Sequence, residues 1–155
     1  MPTSRVLFVC LGNICRSPTA EGVMQHLVEQ AGADVRVDSA GTGGWHAGER
    51  ADPRMREHAA KRGYDLTSRA RAFDRSVDFE AFDLIVAMDD SNLANLRRQD
   101  RAGRYAHKLV KMTDYCSRHP HSEVPDPYYG GDQGFELVID IIEDAAGGLL
   151  AELQR

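Results

Sequence analysis

The chain has 155 residues, 42% hydrophobic and 28% charged, with a formal net charge of -5. This is the size and balance of one globular domain, spanning 1–155, and the acidic balance argues against a nucleic-acid binder, which needs clustered cations to displace counterions. No apolar run reaches the roughly eighteen residues of a membrane span, no secretory pattern is apparent, and the three cysteines do not make a secreted disulfide framework, so a reduced, cytoplasmic protein with no membrane partner is expected.

Strand and helix signals alternate along the chain. RVLFVC (5–10) is a short apolar run suited to a buried parallel strand. Ser17 as N-cap and Pro18 at the first helical position predict a helix, with Ala20, Val23, Met24, Leu27, Val28 and Ala31 on one face and Gly32 at its end. VRVDS (35–39) reads as a second strand and AGTGGWHAG as a loop. Asp52 and Pro53 repeat the cap-plus-proline signal for a helix closed by Gly63. LIVAM (84–88) is a third strand, DDSNLANLRR a short helix, and KLVKM (108–112) a fourth strand. A last helix puts Phe135, Val138, Ile139, Ile142, Ala145, Leu149 and Leu153 on a broad apolar face, weakened locally by Gly147 and Gly148. The expected fold is therefore α/β: a three-layer sandwich whose four-stranded parallel sheet carries helices on both faces. Ligands of such sheets sit outside the carboxyl ends of the strands, where the strand order reverses, which singles out Cys10.

Between Cys10 and the helix lies a short loop ending in Arg16: Cys-x5-Arg-Ser. A loop this short turns its backbone N–H groups inward into an anion nest, and the helix N-terminus adds its dipole. Gly12 and Asn13 tolerate the left-handed conformations it needs, and a guanidinium at Arg16 can fork two hydrogen bonds onto a tetrahedral oxyanion. A cysteine at the base of such a nest is favoured as thiolate, the nucleophilic form. The plainer reading, a small buried residue ending a core strand, fits an isolated cysteine better than one with an arginine six positions on. Cys10 and Cys15 lack a second Cys/His pair at zinc spacing, and GTGGWH (41–46) matches neither a Walker A loop nor a dinucleotide fingerprint, so no metal or cofactor is expected.

VLFVCLGNICRSPTAEGV together with DPYYG (126–130) closely resembles the low-molecular-weight protein tyrosine phosphatases, and the likeness extends to VDSAGT (37–42) and FDLIVAMDDSNL (82–93). The resemblance implies hydrolysis of phosphotyrosine and aryl phosphates through a phosphocysteine on Cys10. Arg16 and the backbone N–H groups of the loop (Leu11, Gly12, Asn13, Ile14, Cys15, Arg16, with Ser17 following) would bind the phosphate. Ser17 would donate to the Cys10 sulfur, Asn13 would hold the loop through Ser39, and Asp126 would serve as general acid and then base. That last role suits the chemistry, since ester cleavage needs a proton for the leaving group. By itself DPYYG reads better as a surface turn, and the phosphate loop beside it reverses that. Trp45, Tyr128 and Tyr129 match positions that wall the pocket, where aromatic faces would select a phenyl phosphate. The resemblance also suggests Tyr128 and Tyr129 as targets of a tyrosine kinase.

Other details bear on the reading. Relatives acting on phosphoarginine carry threonine at the position of Ile14. Ser68 stands where many members have a histidine that pairs with the aspartate matching Asp89. Residues 80–92, where an arsenate reductase on this fold would carry resolving cysteines, contain none. Cys15 could form a disulfide with Cys10 under oxidant, or pack the loop as a small buried side chain. His46, His58, His119 and His121 read as solvated surface residues, as does the arginine-rich run 97–104.

Overall fold

The structure, a computed structural model, describes residues 3–128 and 131–155. Strand β1 (Ser4–Cys10) is central, flanked by β2 (Val35–Gly41) on one side and β3 (Leu84–Ala87) on the other, with β4 (Leu109–Lys111) beyond β3. The order β2-β1-β3-β4 is parallel throughout. The chain leaves β1 in one direction for β2 and returns to the opposite side for β3, so the reversal of strand order falls at the carboxyl end of β1, beside Cys10.

The side-chain period of two splits the strands between two apolar layers. Val6, Phe8 and Cys10 of β1 and Val86 of β3 join α1 (Arg16–Ala31), α2 (Pro53–Lys61) and α5 (Asp132–Leu153) on one face. Leu7, Val9, Ile85 and Ala87 pack on the other against α3 (Asp78–Ala81) and α4 (Asp90–Gln99) through Phe79, Leu93 and Leu96. The expected three-layer sandwich is present. Burial on both faces explains why the inner strands β1 and β3 read as near-continuous apolar runs.

Asp52 caps α2 as the sequence predicts, accepting from the N–H groups of Arg54 and Met55, and Gly32 ends α1 at φ 62°. The cap predicted for α1 is corrected. That helix begins at Arg16 after Cys15, which makes no side-chain cap bond, so Ser17 lies inside the first turn. Its hydroxyl faces the Cys10 sulfur at 3.0 Å instead of a backbone N–H, and Pro18 is accommodated because first-turn N–H groups need no helical partner.

His58 is likewise no surface residue. It is buried between α2 and α5, its ring stacked on Phe135 at 5.4 Å, paired with Glu136 and 3.3 Å from Asp132. It belongs to a charge zipper in which His58 and Arg62, four apart, meet the carboxylates of α5, with Arg54 one turn earlier lying over the Phe135 ring; Arg62 reaches Glu136, Asp140 and Glu143 at 2.7–2.8 Å.

The two glycines of α5 differ in kind. A Cβ on Gly148 would lie 2.1 Å from the carbonyl oxygen of Tyr115, in the short 3-10 turn Met112–Tyr115, whereas one on Gly147 meets nothing within 4 Å. Gly148→Ala is therefore expected to destabilise by roughly 1–3 kcal/mol through overpacking. Gly147→Ala should stabilise by about 0.5–1 kcal/mol through helix propensity. Urea denaturation midpoints of the two variants, moving in opposite directions, check this.

Candidate active site

The loop after β1 is pinned from outside. The carbonyls of Cys10, Leu11 and Ile14 accept from the N–H groups of Thr42, Gly43 and Asp52 at 2.8–2.9 Å, and that of Cys15 from Thr19 N–H and Oγ1. With these oxygens held outward, the N–H groups of Gly12, Ile14 and Cys15 have no backbone acceptor among the described residues. This is the concave array of donors that an oxyanion fits. Asn13 N–H points to the Cys10 sulfur at 3.3 Å. Gly41, at the end of β2, permits the close approach: a Cβ there would lie 2.8 Å from the Leu11 carbonyl oxygen and 3.2 Å from Asn13 Cβ.

Asn13 is the only non-glycine residue at positive φ among the described residues, at 58°. Its buried side chain holds that conformation in place: Nδ2 donates to Ser17 Oγ (2.7 Å) and Ser39 Oγ (2.9 Å), and Oδ1 accepts from Arg71 N–H (3.0 Å). The expected Asn13–Ser39 and Ser17–Cys10 contacts are both present.

Arg16 is buried, 3% exposed. Its Nη1 donates to Asp89 Oδ2 (2.6 Å) and to the Val124 carbonyl (3.1 Å), and its Nη2 lies 3.6 Å from Asp126 Oδ2. Burial disfavours its charge, but Cys10, Asp89 and Asp126 outweigh that and hold the guanidinium above its ordinary pKa. Asp89 also caps α4 through Oδ1 to Asn92 N–H (2.7 Å), so one carboxylate both starts a helix and aims the arginine. Ser68, where many relatives have a histidine, lines a shallow cavity together with Glu21.

The segment carrying Asp126 is tied to the sheet by Val124 N–H to the Met88 carbonyl (2.8 Å) and to α2 by Arg54, whose Nη2 donates to the Tyr128 carbonyl (2.9 Å). Asp126 Oδ1 accepts from Tyr128 N–H (3.1 Å), the Asx turn that Asp-Pro favours. A pocket of about 290 Å³ results, floored by Cys10, Gly12, Ile14, Cys15 and Arg16 and walled by Leu11, Trp45, His46, Asp126 and Tyr128. Trp45 is 71% exposed, its ring open to an incoming substrate. Tyr129 lies outside the described residues. Sequence reasoning overlooked Arg54 and Glu21, and His46, read as a solvated surface residue, lines the pocket; Arg54 alone left a signal, directly behind the Asp52-Pro53 cap.

Cysteine nucleophile, oxyanion nest and arginine at the reversal point of a parallel sheet define the class of phosphate-handling cysteine enzymes. The family model for low molecular weight phosphotyrosine protein phosphatase matches residues 5–155, and the chain belongs to that family; it is a protein tyrosine phosphatase. A relative from Synechocystis sp. is 52% identical over 153 residues, covering 97% of each chain. The crystal structure of a protein tyrosine phosphatase from Entamoeba histolytica superposes with a TM-score of 0.93 at 45% identity, covering 98% of this chain and 97% of that one. An arginine phosphatase from Drosophila is similar at a TM-score of 0.90 and 32% identity, covering 97% and 98%.

Burial pushes the Cys15 thiol far up, with Asp52, Cys10 and Asp126 adding to it, and pushes Cys116 up to about 11. Both stay protonated at neutral pH, so iodoacetamide at pH 7 should modify Cys10 alone, more slowly with inorganic phosphate present; peptide mass spectrometry reads this out.

Proposed function

We propose that the protein hydrolyses phosphotyrosine, in proteins or small aryl phosphates, by a two-step mechanism on Cys10. The observation that supports it most is the convergence of Cys10, Arg16 and Asp126 on one aromatic-walled pocket. The phosphoryl group seats among the loop N–H groups, with two of its oxygens on the Arg16 guanidinium. Cys10 Sγ attacks phosphorus, forming the S–P bond as the P–O bond to the phenol breaks, and Asp126 delivers its proton to the departing oxygen. The Asp126 carboxylate then takes a proton from water, whose oxygen displaces the thiolate and releases inorganic phosphate. Ser17 Oγ, 3.0 Å from the sulfur, receives an Asn13 hydrogen and turns its own towards Cys10, stabilising the thiolate as it departs. Asp89 keeps Arg16 oriented while the charge at phosphorus spreads.

Trp45 and Tyr128 select a flat phenyl group. Hydrolysis of phosphoarginine is the second reading, supported by the likeness to the Drosophila enzyme; Ile14 in place of threonine weighs against it. Arsenate reduction lacks its resolving cysteines in 80–92. A reducing, cytoplasmic setting suits a thiol nucleophile, and Tyr128, exposed at the pocket edge, suits modification by a tyrosine kinase.

Cys10→Ser should abolish hydrolysis of p-nitrophenyl phosphate, measured with excess chelator, while inorganic phosphate still binds. Asp126→Ala should lower kcat by roughly 100- to 10,000-fold for substrates with basic leaving phenols and far less for p-nitrophenol; a loss independent of the leaving group removes Asp126 from the role. Turnover of phosphoarginine in preference to phosphotyrosine would favour the second reading. A protective Cys10–Cys15 disulfide predicts that peroxide-inactivated enzyme recovers with dithiothreitol and that Cys15→Ser enzyme does not.

A further inference from the structure

Glu21, in the second turn of α1, is not part of the pocket but lies behind its floor, within one hydrogen bond of the network that holds Asn13. Ser39 Oγ is 2.5 Å from Glu21 Oε1 and 2.9 Å from Asn13 Nδ2. We propose that Glu21 is a positioning residue for the phosphate loop, its ionised carboxylate setting the direction of the hydrogen bonds that hold Asn13 and Ser17 against Cys10. The proposal rests on the role given above to Cys10 and its loop.

The direction follows from counting hydrogens. A carboxylate only accepts, so the single hydrogen of Ser39 goes to Glu21 and the Ser39 lone pairs face Asn13. One Asn13 amide hydrogen then points to Ser39 and the other to Ser17, and the Arg71 N–H on Oδ1 fixes which way round the amide sits. Ser17, accepting from Asn13, has its own hydrogen free for the Cys10 sulfur at 3.0 Å, against 3.5 Å to the Ala40 carbonyl. If Glu21 is protonated or removed, the Ser39 hydroxyl can turn its hydrogen towards Asn13, where it meets an N–H. One of the three side-chain bonds that keep Asn13 at φ 58° is then lost.

Burial raises the pKa of Glu21, the Ser39 and Ser68 hydroxyls oppose that, Asp38 of β2 adds to it, and Arg71 lowers it. Asp65 after α2, with His26 and Glu29 of α1, lines the same shallow cavity as Glu21. Protonation of Glu21 is thus displaced upwards, giving the relay an acid limit of its own.

The test follows the Asn13 side-chain amide by 15N–1H NMR together with kcat and KM for p-nitrophenyl phosphate, in wild type, Glu21→Gln, Glu21→Leu, Ser39→Ala and Glu21→Leu/Ser39→Ala. Wild type should show a pH-dependent movement of the Asn13 amide that disappears in Glu21→Gln, which cannot ionise. Glu21→Leu should lower kcat roughly tenfold with KM changed less, and the double variant should be no worse than Ser39→Ala, because both remove one link. An unmoved Asn13 amide in folded Glu21→Leu, or losses that simply add in the double variant, overturns the proposal. If Glu21→Leu does not fold, the comparison of wild type with Glu21→Gln decides it. The amide signal needs no turnover, so failure here is distinct from failure of the mechanism, which shows as wild type without hydrolysis.

Discussion

Everything at the pocket floor depends on one peptide turned against its steric preference. A non-glycine residue at φ 58° is uncommon, and asparagine tolerates it because its side chain can bond locally in compensation. Here the compensation is not local: the partners of Asn13 come from β2 (Ser39), α1 (Ser17) and the segment before α3 (Arg71). The loop between β1 and α1 is thereby locked to three parts of the fold, and its outward carbonyls to further ones. Rigid donors are what an oxyanion site requires, since groups that must reorganise as charge develops give back much of their stabilisation.

The sheet supplies the placement. Because β1 is central and its neighbours diverge at its end, the space beyond Cys10 is bordered by loops from both directions of the chain: the loop after β2 with Trp45 and His46 on one side, and the loop that carries Asp126 on the other. The second is secured at one end by the Met88 carbonyl and at the other by Arg54, which also lies over the rings of Tyr128 and Phe135. The zipper between α2 and α5 thus does more than join two helices. Helix α2 is itself bonded to both loops, to the acid loop by Arg54 at the Tyr128 carbonyl and to the nucleophile loop by Asp52 N–H at the Ile14 carbonyl.

Much of this was legible in the chain. The inner strands β1 and β3 are near-continuous apolar runs because they are buried on both faces, and the observed limits of all four strands fall within two residues of the sequence pattern. Cys10, Arg16 and Asp126 stood out because their residue types and spacing are chemically specific. What was hidden has a common physical cause. Asp89, Glu21 and Arg54 act through partners 18 to 74 residues distant, and no local pattern marks a charge for a remote partner. His58 was misplaced for the same reason, since its burial is created by α5. Ser17 misled because a residue that is a good helix cap is equally a good hydroxyl donor, and only the proximity of the sulfur decides between the two uses.

The bonds of Arg16 have a meaning for how the protein is made as well as for how it works. One side chain near the amino end grips Asp89, 73 residues on, and the Val124 carbonyl, 108 residues on. Every strand pairing beneath it is parallel and non-local, the arrangement that closes slowly because long loops must be ordered before any contact rewards them. A chain still emerging from the ribosome can hold its cysteine and its arginine and yet have nothing to aim them. Reactive chemistry is withheld until nearly the whole polypeptide is in place, so that competence at this site is itself a signature of completed folding.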